Sequence, residues 1–264
     1  MNGVLPLEWT DLAIASGLVA LAGAISLALR LGVTRRLTIA ATRTVVQLIL
    51  VGLILEWVFA LDRWWLVLMV LGSMVVNAGV AAVRRAERRY PGIYATGLVA
   101  VTLSSVFTTA VVTEVVVGVT PWYDPRYVIP LMGMVLGNSL NGISLTLDRF
   151  TADLERRQGE VELWLSLGAT VWEASRPLLV DAVRAGLVPI LNAMTVAGIV
   201  SLPGMMTGQI LAGSPPLVAV RYQIVVMFMI AGAASLGALL AGLLSFRRLT
   251  TRRHQLVVHR LRRA

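Results

Sequence analysis

The sequence predicts an all-α polytopic membrane protein of about seven transmembrane helices, N-terminus outside and C-terminus inside, with a helix–glycine–helix elbow in the cytoplasm. Three observations carry that prediction. Of 264 residues, 57% are hydrophobic and 14% charged, with a mean hydropathy of +0.80, far too apolar for one soluble domain. The apolar residues are gathered into runs long enough to span a bilayer. Most of the arginines fall on one side of those runs.

The first run is Trp9–Leu31, preceded by Glu8 and with Asp11 near its start, a charge pattern opposite to the basic start of a signal peptide. Ser16, Ala20, Ala24 and Ala28 form a small-residue ladder on it, favouring close helix contact. A second span runs from about Ile39 to Leu61. A hairpin with Asp62 and Arg63, flanked by Trp57, Trp64 and Trp65, leads into a third span ending near Val83. The loop containing Arg84, Arg85, Glu87, Arg88 and Arg89 follows, then a fourth span from about Tyr94 to Val119. An aromatic turn, Thr120–Pro125, precedes the fifth span, about Tyr127–Leu147. A sixth, about Leu178–Leu202, is expected to break at Pro189 and to be followed by a polar, glycine-rich loop. The seventh covers about Leu217–Phe246. Residues 1–247 therefore read as a single transmembrane domain and 248–264 as a basic cytoplasmic tail.

Charge orients the spans. With the N-terminus outside, 20 of the 23 arginines lie inside, leaving only Arg63, Arg126 and Arg221 outside. Basic excess marks the cytoplasmic face. The net charge of +9 is accordingly read as membrane topology and not as a nucleic-acid surface.

The segment 148–176 is the one long polar stretch between two apolar ones, and it reads as a helix–glycine–helix elbow. Val161–Leu167 turns apolar for about two turns and ends at Gly168, a residue suited to a left-handed helix stop. Thr170 and Glu173 then have capping-box spacing, so a second helix can start. Trp164 and Trp172 are expected at headgroup level. An amphipathic elbow of this kind suits docking into a groove on a soluble partner.

Several chemistries are excluded. The chain has no cysteine, so it has no disulfides, thiolate metal site or cysteine nucleophile. All 23 basic residues are arginine. Without lysine there is neither a P-loop nor a retinal Schiff base. The two histidines, His254 and His259, both lie in the tail. Any metal crossing the bilayer must therefore meet carboxylate, amide, carbonyl, water or thioether, and the sequence identifies no metal ligands. Ten methionines are present, but Met132/Met134 and Met227/Met229 point to different sides of their helices and read as adaptable packing.

Polar residues at membrane depth are the candidates for a translocation path. Asn138 and Asn141 share a face of span five with Gly137 and Ser144, either as interhelical glue or lining a pathway. Gly133 and Gly137 add a G-x-x-x-G contact. Glu56 and Glu114 lie near the outer ends of spans two and four, where an acid either snorkels or functions. Gln47 follows Arg43 by one turn on span two. Asp181 and Arg184 are expected to neutralise each other, and Asn77 to pack beside Ser73.

Four stretches resemble the iron-export ABC permease family (FetB-like), whose plant relatives are aluminium-tolerance permeases. They are RTVVQLILVG (Arg43–Gly52), MGMVLGNSLNGISL (Met132–Leu145), LWLSLGAT (Leu163–Thr170) and LPGMMTGQILAGSPP (Leu202–Pro216). The elbow also looks like the short motif of bacterial ABC permeases that begins Glu-Ala-Ala and places Gly six residues after the Glu. Glu162 and Gly168 match it, Leu163 and Trp164 replace the alanines, and Val180-Asp181 stand where Leu-Pro would close it. The resemblance implies a non-enzymatic permease subunit of a bacterial inner membrane, paired with a second copy and with separate ABC ATP-binding subunits that hold ATP and Mg. It implies metal export, iron first, with a polar solute such as a nucleotide sugar as the alternative. Glu162, Leu163, Trp164, Leu167, Gly168 and Glu173 are then expected to contact the ATPase. The competing class is an ATP-independent seven-helix carrier or scaffold. A coupled carrier usually needs intramembrane acids or inverted repeats, and here the acids are peripheral.

Overall fold

The computed structural model describes residues 8–61, 63–251 and 255–263; the expectations for Asp62, Arg252, Arg253 and His254 lie outside the described residues. Among the described residues there are nine α-helices: α1 (Trp9–Ala28), α2 (Thr34–Leu61), α3 (Trp64–Arg84), α4 (Ile93–Val111), α5 (Pro125–Arg156), α6 (Gln158–Ser166), α7 (Val171–Val196), α8 (Gly204–Leu211) and α9 (Pro216–Leu249). Helix α4 continues through a π-helical turn, Val112–Val117. Seven of these helices, α1 to α5, α7 and α9, are long and apolar enough to cross a membrane. The all-α prediction holds, and the short α6 and α8 sit at opposite ends of α7.

Helix α5 is the axis of the bundle, packed on α3, α4, α7 and α9. Its start follows from sequence: the Asp124 carboxylate accepts from the Arg126 N–H at 2.9 Å and Pro125 occupies the first turn. Helices α5 and α7 cross at close range, where a Cβ built on Gly186 would lie 2.6 Å from the Gly142 carbonyl oxygen. Only glycine permits that approach. Of the contact expected at Gly133 and Gly137, Gly133 lies against the Met74 side chain of α3, a Cβ there falling 3.3 Å from its Cε, whereas Gly137 has open space beside it.

The elements differ from expectation in three respects. Helix α5 does not stop near Leu147 but projects to Arg156. Its charged extension is held by Arg149–Asp153 and Arg156–Asp153 pairs at 2.8 and 2.6 Å, the i,i+4 and i,i+3 pairs that support a helix. Leu147, Phe150 and Leu154 keep one face of it fully buried. Helix α7 passes through both Pro177 and Pro189 and ends at Val196, so Pro189 does not break the sixth span. Membrane-spanning helices tolerate proline in this way where helices in water break. The loop after it contains α8, closed at Gly213 in the left-handed region (φ +93°).

The tail also has structure. Arg262–Arg263 pairs antiparallel with Arg88–Arg89 as a two-residue ladder. Val257 donates its N–H to the Leu249 carbonyl at 2.9 Å and is buried. Tyr90, in the same layer, shares a 2.8 Å hydrogen bond with Ser245, and burial pushes its phenol pKa up.

Helices α1 and α2 stand apart from this core. They pack on each other, with Thr34 donating to Ser26 at 2.9 Å, and α2 meets the bundle near its end, where Val58 is buried in the core and α2 contacts α5. Of their apolar windows 11% and 6% is buried, against 56% for α5. The small-residue ladder of α1 is accordingly uncovered.

Candidate functional site

The elbow is built as a helix, a left-handed glycine and a capped helix. At the end of α6 the Ala169 N–H bonds the Trp164 carbonyl at 3.1 Å and the Gly168 N–H bonds Leu165 at 3.0 Å. With Gly168 at φ +93° this is a Schellman stop. Thr170 then opens α7: its hydroxyl accepts from the Glu173 N–H at 3.2 Å, while Glu173 accepts from the Thr170 N–H at 2.8 Å. Trp164, Leu167, Gly168 and Glu173 line one cleft of about 710 Å³ between α6 and α7. Leu163, Trp164 and Leu167 are 59%, 52% and 73% exposed, a patch of apolar surface beyond the end of α5. Glu162 is exposed and accepts from the Gln158 amide at 2.6 Å. Trp172 is 42% exposed and stands edge-on to Phe246 with centroids 5.3 Å apart.

The elbow carries its own ion pair. Arg157 makes two 2.7 Å bonds to the Glu160 carboxylate. The bonded carboxylate holds the Arg157 guanidinium above its ordinary pKa, helped by the charges of Asp153 and Asp181. The guanidinium in turn holds Glu160 below the usual carboxylate value. Asp181 and Arg184 form no ion pair with each other among the described residues.

The candidate path residues are not gathered into one place. Gln47 and Glu56 are exposed on the uncovered α2. Glu114 sits in the π turn and lines a cavity of about 340 Å³ between α3, α4 and α5, with Thr102, Thr109, Thr113 and Met132 but none of the other candidates. Asn138 is exposed and donates to its own helix at Met134 (2.9 Å). Asn141 accepts from the Arg85 guanidinium at the other end of the bundle. Asn77 likewise donates to Ser73 within α3, at 2.8 Å.

Two further cavities flank α8. One, of about 560 Å³, is lined by Arg126, Tyr127, Met134, Met205, Gln209 and Tyr222 among others. The other, of about 470 Å³, lies between α7, α8 and α9 and includes Met194, Met206, Gln223 and Met227. The amide oxygens of Gln209 and Gln223 are both buried without a hydrogen-bond partner. Neither glutamine was singled out from sequence. Gln223, like Asn138, is a polar residue inside an apolar run, and that is the signal the sequence holds for it. No group of three or more His, Cys, Asp or Glu capable of holding a metal ion exists among the described residues.

Comparison with known proteins fits this architecture. The chain matches the Uncharacterised protein family (UPF0014) over residues 9–250. It is 37% identical over 257 residues to the UPF0014 membrane protein slr1647 of Synechocystis, covering 97% of this chain and 99% of that one. It is 34% identical over 253 residues to the probable iron export permease protein FetB of Escherichia coli, covering 96% of each. It is 33% identical over 242 residues to the protein ALUMINUM SENSITIVE 3 of Arabidopsis thaliana, covering 91% and 87%. No solved structure matches the chain. With seven apolar helices and relatives matched nearly end to end, this chain is a polytopic membrane protein of the UPF0014 family.

Proposed function

We propose that this chain is the permease subunit of an ABC transporter that exports metal ions, iron among them, using ATP hydrolysed with Mg by a separate subunit. The observation that carries the reading is the elbow. Three large apolar side chains, Leu163, Trp164 and Leu167, are presented to solvent beside a cleft at the tip of an ion-paired helix extension. Exposed anchors of that kind mark a protein-binding site. The name of the Escherichia coli relative supplies the substrate class. In this reading the arginine-rich end is cytoplasmic, in a bacterial inner membrane, and Glu162, Gly168 and Glu173 hold the shape that the ATPase grips. The Glu114 cavity and the polar residues Gln47, Glu56, Asn138 and Asn141 then belong to the route between the two sides.

A second copy completes the assembly. One chain offers one elbow, whereas a clamp of two ATPase subunits needs two, related by a two-fold axis. The α1–α2 hairpin supports this, because it leaves Arg43, Gln47 and Glu56 uncovered on a span, and polar groups at membrane depth turn toward protein. The test is purification from native membranes followed by native mass measurement and efflux. Two permease chains with two ATP-binding chains, and ATP-dependent Fe efflux from loaded vesicles, are expected. A stable complex with one permease chain would overturn the dimer, and efflux of a sugar nucleotide in place of Fe would overturn the substrate.

A further inference from the structure

We infer that the cavity between α7, α8 and α9 is a binding site for a soft monovalent cation of the Cu(I) or Ag(I) class. The ligands are the thioethers of Met194, Met206 and Met227 and the amide oxygen of Gln223. Naming this ion as cargo rests on the metal-export reading; its binding does not.

The donors come from three elements. Met194 stands near the end of α7, Met206 on α8, and Gln223 and Met227 one turn apart on one face of α9. All four line the same space of about 470 Å³. Gln223 is only 8% exposed, and its Oε1 has no hydrogen-bond donor. A buried acceptor without a donor is costly and uncommon in a native fold. A cation in the cavity would satisfy it.

The donor set selects the ion. Thioethers are soft and favour Cu(I). Cysteine is absent, so no thiolate in the chain outcompetes them. Every donor is neutral and no Asp or Glu lines the cavity. The cost of placing an ion among neutral groups rises steeply with its charge, so a monovalent ion is held where Mn(II) or Fe(II) would need a carboxylate. The cavity on the other side of α8 makes the contrast. It has Met134, Met205 and Gln209, but also Arg126, whose guanidinium repels a cation. Two adjacent residues, Met205 and Met206, thus face cavities of opposite character, which packing needs alone do not require.

The test is Ag(I) titration of the full-length permease in nanodiscs, in chloride-free buffer, with Mn(II) in parallel. His254 and His259 give a background common to all variants. One tight Ag(I) equivalent is expected, at least tenfold tighter than Mn(II). The Met206→Leu/Met227→Leu protein should lose that phase, and Gln223→Leu should weaken it several-fold. Met205→Leu should keep it. Leucine conserves volume, and melting temperature in the absence of metal checks each fold; should the double variant misfold, Met194→Leu alone serves. The absence of a tight phase, its survival in the site variants, or equal loss in Met205→Leu would overturn the site. None of these readouts involves the ATPase, so their failure leaves the transporter reading standing, and a missing ATPase partner leaves the site standing.

Discussion

Gly168 and Glu160 decide what the elbow can do, and each can be probed alone. A Cβ on Gly168 would meet nothing within 4 Å, yet its φ is +93°. Gly168→Val therefore acts through the backbone only, disfavouring the bend by roughly 1–2 kcal/mol. The protein should reach the membrane at normal abundance while stimulated ATP hydrolysis by the reconstituted complex falls sharply. Unchanged stimulation would reduce the elbow to a linker. Glu160 reports the ion pair by pH. Its pKa is lowered in the folded state because Arg157 bonds it, so the pair's contribution is complete above the unfolded carboxylate value and is lost as pH falls through the folded one. Carboxyl NMR of Glu160 should show a midpoint below that of an ordinary glutamate. In an Arg157→Gln protein the midpoint should return upward.

At the scale of elements, glycine sets the distance between α5 and α7. A Cβ on Gly186 would fall 2.1 Å from the Thr146 hydroxyl and 2.6 Å from the Gly142 carbonyl. The second neighbour is backbone and cannot rotate away. Gly186→Ala should push the helices apart and destabilise by roughly 1–3 kcal/mol, read as a lower melting temperature in detergent; Gly52→Ala on α2, with open space beside it, should leave it unchanged. Helix identity was legible from sequence because each run is apolar over a full membrane span, and the Gly168 stop and Thr170 cap were legible because their signals are local. The projection of α5 was obscured by the charges of 148–157, although Leu147, Phe150 and Leu154 fall on one helical face within it. The course of α7 was obscured because Pro189 breaks helices in water, whereas membrane-spanning helices tolerate proline. The glycine crossing and the cavities around α8 depend on which helices meet, a relation that one-dimensional periodicity does not contain.

For the whole molecule, the distribution of arginine, the elbow and the uncovered hairpin all bear on one quantity, the direction in which the chain sits. Loops after α1, α3 and α5 and the tail carry the arginine excess, and the elbow lies at that same end. If basic residues hold that end in the cytoplasm, α8 and the loop before it face outward, and the two α8 cavities lie on the outer side. The absence of cysteine makes the direction measurable without any background of native thiols. Ile199, 88% exposed between α7 and α8, and Gly159, exposed at the start of α6 with nothing within 4 Å of a Cβ, accept a thiol without disturbing a contact. Ile199→Cys should react with a membrane-impermeant maleimide on intact spheroplasts. Gly159→Cys should react only after permeabilisation. The opposite pattern would invert the chain, place the elbow beyond the reach of a cytoplasmic ATPase, and so remove the physical basis of ATP coupling altogether.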